Sequence, residues 1–210
     1  MKRIIGISDT HTKEKNIIIS HQADIIITAG DITLLEDYKK GIYDYLEWYS
    51  TLNIKHKIYV SGNSDGMYIQ ENLEEFEAYC KSKNIIFLND SSVVIDGIKI
   101  YGTPWTKAFS INRGYGCEDD EELRIKYNKI PEDVEILITH NPPFKILDFA
   151  NYYACHVGSE ALLEKINTLK NLKLHFFGHV HDESGIKSIK QTTFVNCAYN
   201  EKIPYKFLRF

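Results

Sequence analysis

The sequence predicts an α/β protein with mixed β-sheets and helices packed outside them. Three observations carry that prediction. In the first half, short β-branched apolar runs alternate with longer segments of helical period, the signature of crossover connections and parallel strands. In the second half, hairpin signals bring in antiparallel strands. Five short polar pieces stand at or just after the ends of predicted strands, where open α/β sheets bind ligands.

Residues 3–8 form the first strand, a run of isoleucines ending in a polar loop. Residues 24–28 form the second, apolar after Asp24, and residues 57–61 the third. Runs this continuous suit strands buried on both faces. Between the second and third, residues 36–52 read as a helix, with Leu35, Tyr38, Ile42, Tyr45, Leu46 and Tyr49 near helical spacing. Residues 69–83 read as another, turning Leu73, Phe76 and Cys80 inward. Asp96-Gly97 then joins strands 92–95 and 98–101 as a two-residue hairpin. Residues 102–117 have no clear period; their length suggests a lid or binding loop. Residues 118–129 suit a helix, 134–139 a buried strand, and 158–169 an amphipathic helix through Leu162, Leu163, Ile166 and Leu169. A strand at 172–177 and a hairpin of 185–189 with 192–196 complete the pattern.

The 210 residues fit one domain spanning 1–210. Twenty-five basic and 29 acidic residues give a net charge of −4, so no extended nucleic acid or anionic membrane is expected as a partner. The opening apolar run, residues 4–7, is too short for a signal-peptide core, and no stretch reaches transmembrane length. A cytoplasmic location is expected. Cys80, Cys117, Cys155 and Cys197 form no CxxC pair, which argues against thiolate zinc, and the cytosol argues against disulfides.

The five polar pieces are Ser8-Asp9-Thr10-His11, Ala29-Gly30-Asp31, Ser61-Gly62-Asn63-Ser64-Asp65, Thr139-His140-Asn141 and Gly178-His179-Val180-His181. They offer seven potential metal ligands: Asp9, His11, Asp31, Asn63, His140, His179 and His181. Singly, each piece reads as a turn, a cap or a solvated pair; His179 and His181 share one side of an extended segment. If the strands share a sheet, the loops converge into one site. Oxygen and nitrogen ligands without thiolate favour Mn²⁺, Fe, Ni²⁺ or Zn²⁺, and paired divalent ions are a common device for phosphate ester hydrolysis.

These blocks, D-x-H, G-D, G-N, H and G-H-x-H in that order, resemble the calcineurin-like metallophosphoesterase superfamily. Stretches outside them, 100–106, 138–143 and 173–178, are similar to small metallophosphoesterase-domain proteins described from brain. The resemblance implies a four-layer α-β-β-α sandwich of two mixed sheets. It implies that Asp9, His11 and His181 hold one ion, that Asn63, His140 and His179 hold the other, and that Asp31 bridges them. Substrate contacts are expected at Asn63, His140 and Trp105. Trp105, Phe109 and Tyr115 lie in the long loop, available either to stack on a base or to close onto the core.

Two divalent ions with Asp9 and Asp31 leave a site of net charge near +2, which attracts a phosphate ester. A hydroxide bridging ions about 3.5–4 Å apart is the expected nucleophile. The departure is Ser64, which stands where many relatives place a histidine read as a general acid. Its loss costs roughly 10²–10⁴-fold on poor leaving groups and tilts the reading toward small nucleotide-like diesters. His156 and His21 are candidate substitutes, and Asp65 is expected to support its loop or orient His11. A catalytically weak binding module on the same fold, or a nuclease, are the alternatives.

Overall fold

The computed structural model describes residues 1–34, 38–108 and 114–210; Leu35 and Phe109 lie outside the described residues. In chain order the elements are β1 (Arg3–Ile7), β2 (Ile25–Ala29), α1 (Tyr38–Thr51), β3 (His56–Val60), α2 (Asn63–Glu71), α3 (Leu73–Ser82), β4 (Ile85–Phe87), β5 (Ser91–Ile95), β6 (Ile98–Thr103), β7 (Thr106–Lys107), β8 (Gly116–Cys117) and α4 (Asp120–Tyr127). They continue with β9 (Ile136–Thr139), β10 (Phe149–Ala150), β11 (Cys155–His156), α5 (Glu160–Thr168), β12 (Leu174–Phe177), β13 (Gly185–Ile189), β14 (Thr192–Asn196) and β15 (Lys206–Arg209).

One sheet runs β15-β1-β2-β3-β4, with β1 to β4 parallel and β15 antiparallel at the edge. The other runs β13-β14-β12-β9-β6-β5, parallel in the middle and antiparallel at both edges. Side chains alternate between faces with period two, and both faces are covered. Ile4, Ile25, Ile27 and Ile58 of the first sheet meet Ile100, Ile136, Ile138 and Phe176 of the second in the central core. Ile5, Ile7 and Ile26 face outward onto Ile42, Leu46 and Tyr49 of α1 and Phe76 of α3. Leu137 and Phe177 face outward onto Leu123 of α4 and Leu162 of α5. The result is the four-layer α-β-β-α sandwich, and the doubly covered strands explain the unbroken apolar runs. Each fully buried isoleucine contributes about 1.5–3 kcal/mol, so the core fixes the strand ends firmly.

Three local features differ from the sequence pattern. Residues 69–83 do not form one helix: α2 begins at Asn63 and ends at Glu71, and Asn72 leaves the helical region (φ −126°, ψ 33°). The Asn72 side chain donates to the Tyr68 carbonyl at 2.8 Å, satisfying the last turn in place of a continuing helix. β4 and β15 are further strands, and β15 pairs with β1 from the far end of the chain (Arg3↔Arg209). The 102–117 stretch begins inside β6; its described ends pair as β7 and β8, and Gly114 packs against Gly66 and Met67 of α2. The hairpin turn agrees with the sequence: Ile95 pairs with Ile98, and Asp96 and Gly97 both take positive φ (49° and 85°), as a type I′ turn requires.

Candidate metal centre

All five polar pieces lie at strand ends of the two packed sheets. Asp9 and His11 follow β1, Asp31 follows β2, and Asn63 opens α2 just beyond β3. His140 follows β9, while His179 and His181 follow β12. The first sheet thus supplies both carboxylates and the amide, and the second sheet supplies three of the four imidazoles. Backbone bonds lock the loops together: Asp9 N–H donates to the Gly30 carbonyl at 2.9 Å, and Gly178 N–H to the His140 carbonyl at 3.1 Å. Across the sandwich, His179 N–H donates to Asp9 Oδ2 at 2.8 Å.

The side chains gather into two groups, Asp9 with His11 and His181, and Asp31 with His140 and His179. Asn63 Oδ1 joins the second group, 3.1 Å from His140 Nε2. The extended-segment geometry of His179 and His181 does not persist: His179 takes φ 71°, and the chain then enters a short 3₁₀ turn at His181, so the two imidazoles reach separate groups. Asp9 (φ 52°), His11 (φ 43°) and Asp31 (φ 54°) share this left-handed conformation, uncommon outside glycine and clustered at functional sites.

Divalent ions fit these groups. Ligand atoms about 2.1 Å from one ion lie roughly 3.0–3.4 Å apart. His11 Nε2 and His181 Nε2 are 3.3 Å apart, His179 Nδ1 and His140 Nε2 3.2 Å, and His140 Nε2 and Asp31 Oδ1 3.4 Å. His11 Nδ1–H donates to the Thr33 carbonyl (3.1 Å) and His140 Nδ1–H to the Ala29 carbonyl (2.7 Å). Those bonds fix the ring orientation and leave each Nε2 for a ligand role. Asp9 Oδ1 is buried and accepts no hydrogen bond, with His181 Nε2 3.6 Å away; a cation between them would offset its desolvation.

Without an ion, charge is held internally. Burial alone would raise Asp31, but His140, His11 and His179 outweigh it and hold the carboxyl well below its usual range. Burial alone would lower His140, but the Asp31 carboxylate, with a smaller contribution from Asp9, pushes it up to about 10. An ion at His140 Nε2 therefore displaces a proton.

Two glycines permit the close approach. Gly30 has φ 91°, and a Cβ there would lie 2.3 Å from Gly62 N. A Cβ on Gly178 would lie 2.0 Å from Ser8 Oγ and 2.2 Å from Asp9 Oδ2. Beneath His140, the Thr139 hydroxyl donates to the Asn141 carbonyl at 2.6 Å. Thr139 Oγ1 is then the acceptor for His175 Nε2–H at 2.9 Å. His175 Nδ1 is buried without a partner, and burial pushes this imidazole down to about 3. It is a neutral prop for the His140 loop.

Ser64 is engaged rather than merely empty of acid. Its amide donates to Asp31 Oδ1 at 2.8 Å and its hydroxyl to Asp31 Oδ2 at 2.9 Å. Asp65 does not orient His11, whose Nδ1 is taken by Thr33. The Asp65 carboxylate instead ties two loops, accepting from Ile32 N–H (3.1 Å), Ser61 Oγ–H (2.8 Å), Gly62 N–H (3.0 Å) and the Tyr59 hydroxyl. Burial, then the charge of Asp31, raises its pKa.

Two cavities open beside the histidines. One of about 420 Å³ is lined by Asp9, His11, Lys13, His181 and Lys202 among others. The other, of about 260 Å³, is lined by Tyr152, Tyr153, Val157, His179 and His181 among others. Trp105 lines neither. Its Nε1–H donates to Asp90 at 3.0 Å, Lys126 Nζ stands 3.6 Å from its ring centre, and Tyr115 packs edge-on. His156 also lies outside both cavities, held by Asp148 at 2.6 Å between Phe144 and Phe149. His21 stacks on Phe207 and bonds Tyr205, and it too lies outside both cavities. The β10–β11 hairpin was not visible in the pattern; the adjacent pair Tyr152-Tyr153 was its one sequence signal.

Fold and site together define a class: a four-layer sandwich whose strand-end loops gather carboxylates and imidazoles into groups suited to divalent ions. The chain belongs to the calcineurin-like phosphoesterase family, whose model matches residues 2–183. It is 32% identical over 216 residues to the human metallophosphoesterase domain-containing protein 1, covering 93% of this chain and 65% of that protein. The chain therefore spans just under two thirds of that relative's length. It is 27% identical over 206 residues to a probable glycerophosphodiester phosphodiesterase of Arcobacter nitrofigilis, covering 85% of this chain and 71% of the other. The crystal structure of TT1561 from Thermus thermophilus shares the fold, with a TM-score of 0.66 at 14% identity, covering 93% of this chain and 88% of that one. Among the described residues, no helix is long and apolar enough to cross a membrane.

Proposed function

We propose that this chain is a cytoplasmic, single-domain phosphoric ester hydrolase that holds two divalent ions and favours small, nucleotide-like diesters over monoesters. The observation that carries the reading is the pair of ligand groups, Asp9–His11–His181 and Asp31–His140–His179, with Asn63 beside the second. Bound ions would supply Lewis acidity toward the phosphoryl oxygens and make hydroxide available near neutral pH. The protein's part is to hold the ligands: Thr33 and Ala29 aim two imidazoles, Ser64 aims Asp31, and His179 N–H aims Asp9.

The diester preference rests on Ser64. Its hydroxyl is committed to Asp31, so no imidazole follows Asn63 to protonate a poor leaving group. The likeness to a probable glycerophosphodiester phosphodiesterase supports the same preference. Lys13 and Lys202 share the larger cavity with Asp182 and Glu201, a mixed lining that suits a small ester better than a nucleic-acid track.

The test is turnover of bis(p-nitrophenyl) phosphate against p-nitrophenyl phosphate with added Mn²⁺. The diester should be cleaved faster; faster monoester turnover overturns the preference. Asp31→Ala should abolish both activities, and undiminished turnover in that variant refutes the two-metal reading.

A further inference from the structure

Tyr152 and Tyr153 are the two exposed tyrosine, phenylalanine or tryptophan side chains among the described residues, 90% and 60% accessible. They sit at the tip of the β10–β11 hairpin, with rings nearly perpendicular and centres 5.0 Å apart. Both line the cavity of about 260 Å³ that also exposes His179 and His181. Aromatic side chains left in water gather at sites where a partner covers them, and here the uncovered corner opens onto the metal centre.

The hairpin is held in place relative to that centre. Phe149 N–H donates to Glu183 Oε2 at 2.8 Å and Asn151 N–H to Asp182 Oδ2 at 2.9 Å. Both acceptors belong to the short turn that begins with His181. At its base, buried Asp148 accepts from Lys145 N–H at 2.9 Å, Gly158 N–H at 3.0 Å and His156 Nδ1–H at 2.6 Å. The tyrosine corner is therefore clamped to the segment that carries two of the metal-facing imidazoles. A cavity of about 150 Å³ is enough to take benzene, so this one has room for an aryl ring or a base.

We propose that Tyr152 and Tyr153 form a subsite for an aromatic substituent of the phosphoester, stacking it while the phosphoryl group lies at His179 and His181. This rests on the phosphoester reading and adds to it a residue basis for substrate choice. Stacking on such a corner raises affinity about fivefold or more.

The probes are phenylphosphonate and methylphosphonate, which present the same anion and do not turn over. Their equilibrium binding to Mn²⁺-loaded protein is measured in the wild type and in the Tyr152→Ala/Tyr153→Ala variant. The wild type should bind phenylphosphonate about fivefold or more tighter than methylphosphonate. The variant should lose that preference and keep its methylphosphonate affinity. Equal affinities in the wild type, or an unchanged preference in the variant, overturn the subsite. Equal weakening of both probes in the variant also overturns it, because the tyrosines would then only hold the hairpin. If neither probe binds the wild type and no phosphoester is hydrolysed, the phosphoester reading fails and the subsite with it.

Discussion

Replacing Ser64 by alanine isolates one hydroxyl at the heart of the candidate metal centre. The Ser64 amide would still donate to Asp31 Oδ1, but Asp31 Oδ2 would lose its 2.9 Å donor. Asp31 is only 4% exposed, so water cannot fully replace that donor. A hydrogen bond to a charged group contributes about 1.5–3 kcal/mol, and about 1.4 kcal/mol is tenfold in affinity. The arithmetic gives roughly 10–100-fold weaker binding of an ion held by Asp31, the range usual for partners that orient a ligand. Ser64→Thr keeps the hydroxyl and should retain most of the affinity. The assay is competition between protein and a chelator for Mn²⁺, followed by calorimetry. Wild-type affinity in Ser64→Ala for both ions would show that Asp31 is positioned by packing alone, and the reasoning would fall.

Three further outcomes follow from the same geometry. Gly178→Ala puts a methyl against Ser8 and Asp9; it should cost about 1–3 kcal/mol of stability by overpacking and weaken metal binding at Asp9, read by denaturant melts and metal titration. His140, raised to about 10 by Asp31 against its burial, carries a proton at pH 7 without metal. Mn²⁺ loading at pH 7 should therefore release at least one proton, seen as a dependence of the calorimetric heat on buffer ionisation. His175, lowered to about 3 by burial, binds fewer protons folded than unfolded. Its contribution is present above about pH 6.5 and is lost as pH falls toward 3, at up to about 1.4 kcal/mol per pH unit. His175→Phe should flatten the acid limb of metal-free stability by that slope; identical slopes in variant and wild type would refute the assignment.

The strand-end loops were legible because the isoleucine runs before Asp9 and Asp31 and the valine–isoleucine run before His140 mark buried strands without ambiguity. The four-layer arrangement was legible only through the order of the motif blocks, since periodicity cannot say which face of a strand meets a sheet and which a helix. What the sequence hid is tertiary in origin. β15 is a four-residue strand whose partner lies about 200 residues away, and no local pattern encodes that pairing. Asn63-Ser64-Asp65 has turn composition, yet it starts a helix because Asp65 accepts the Gly62 N–H. Ser64 reads as a missing acid because spacing cannot reveal that Asp31 lies within reach of its hydroxyl. Spacing leaves Trp105 either to stack on a substrate or to close onto the core, because its bond to Asp90 joins residues with no shared motif.

The left-handed backbone at Asp9, His11, Asp31 and His179 sets stability against function in this chain. Each non-glycine residue there costs roughly 1 kcal/mol, and glycine would remove most of that cost while removing the ligand. Asp31 balances the charge of His140 and Asp9 accepts from His179 N–H, so a library of variants screened only for resistance to heat without metal should accumulate glycine at the two histidines, His11 and His179. The same library screened with Mn²⁺ present should keep them intact, because bound ions stabilise only molecules that retain their ligands. The choice of selection medium would decide whether the centre survives laboratory evolution.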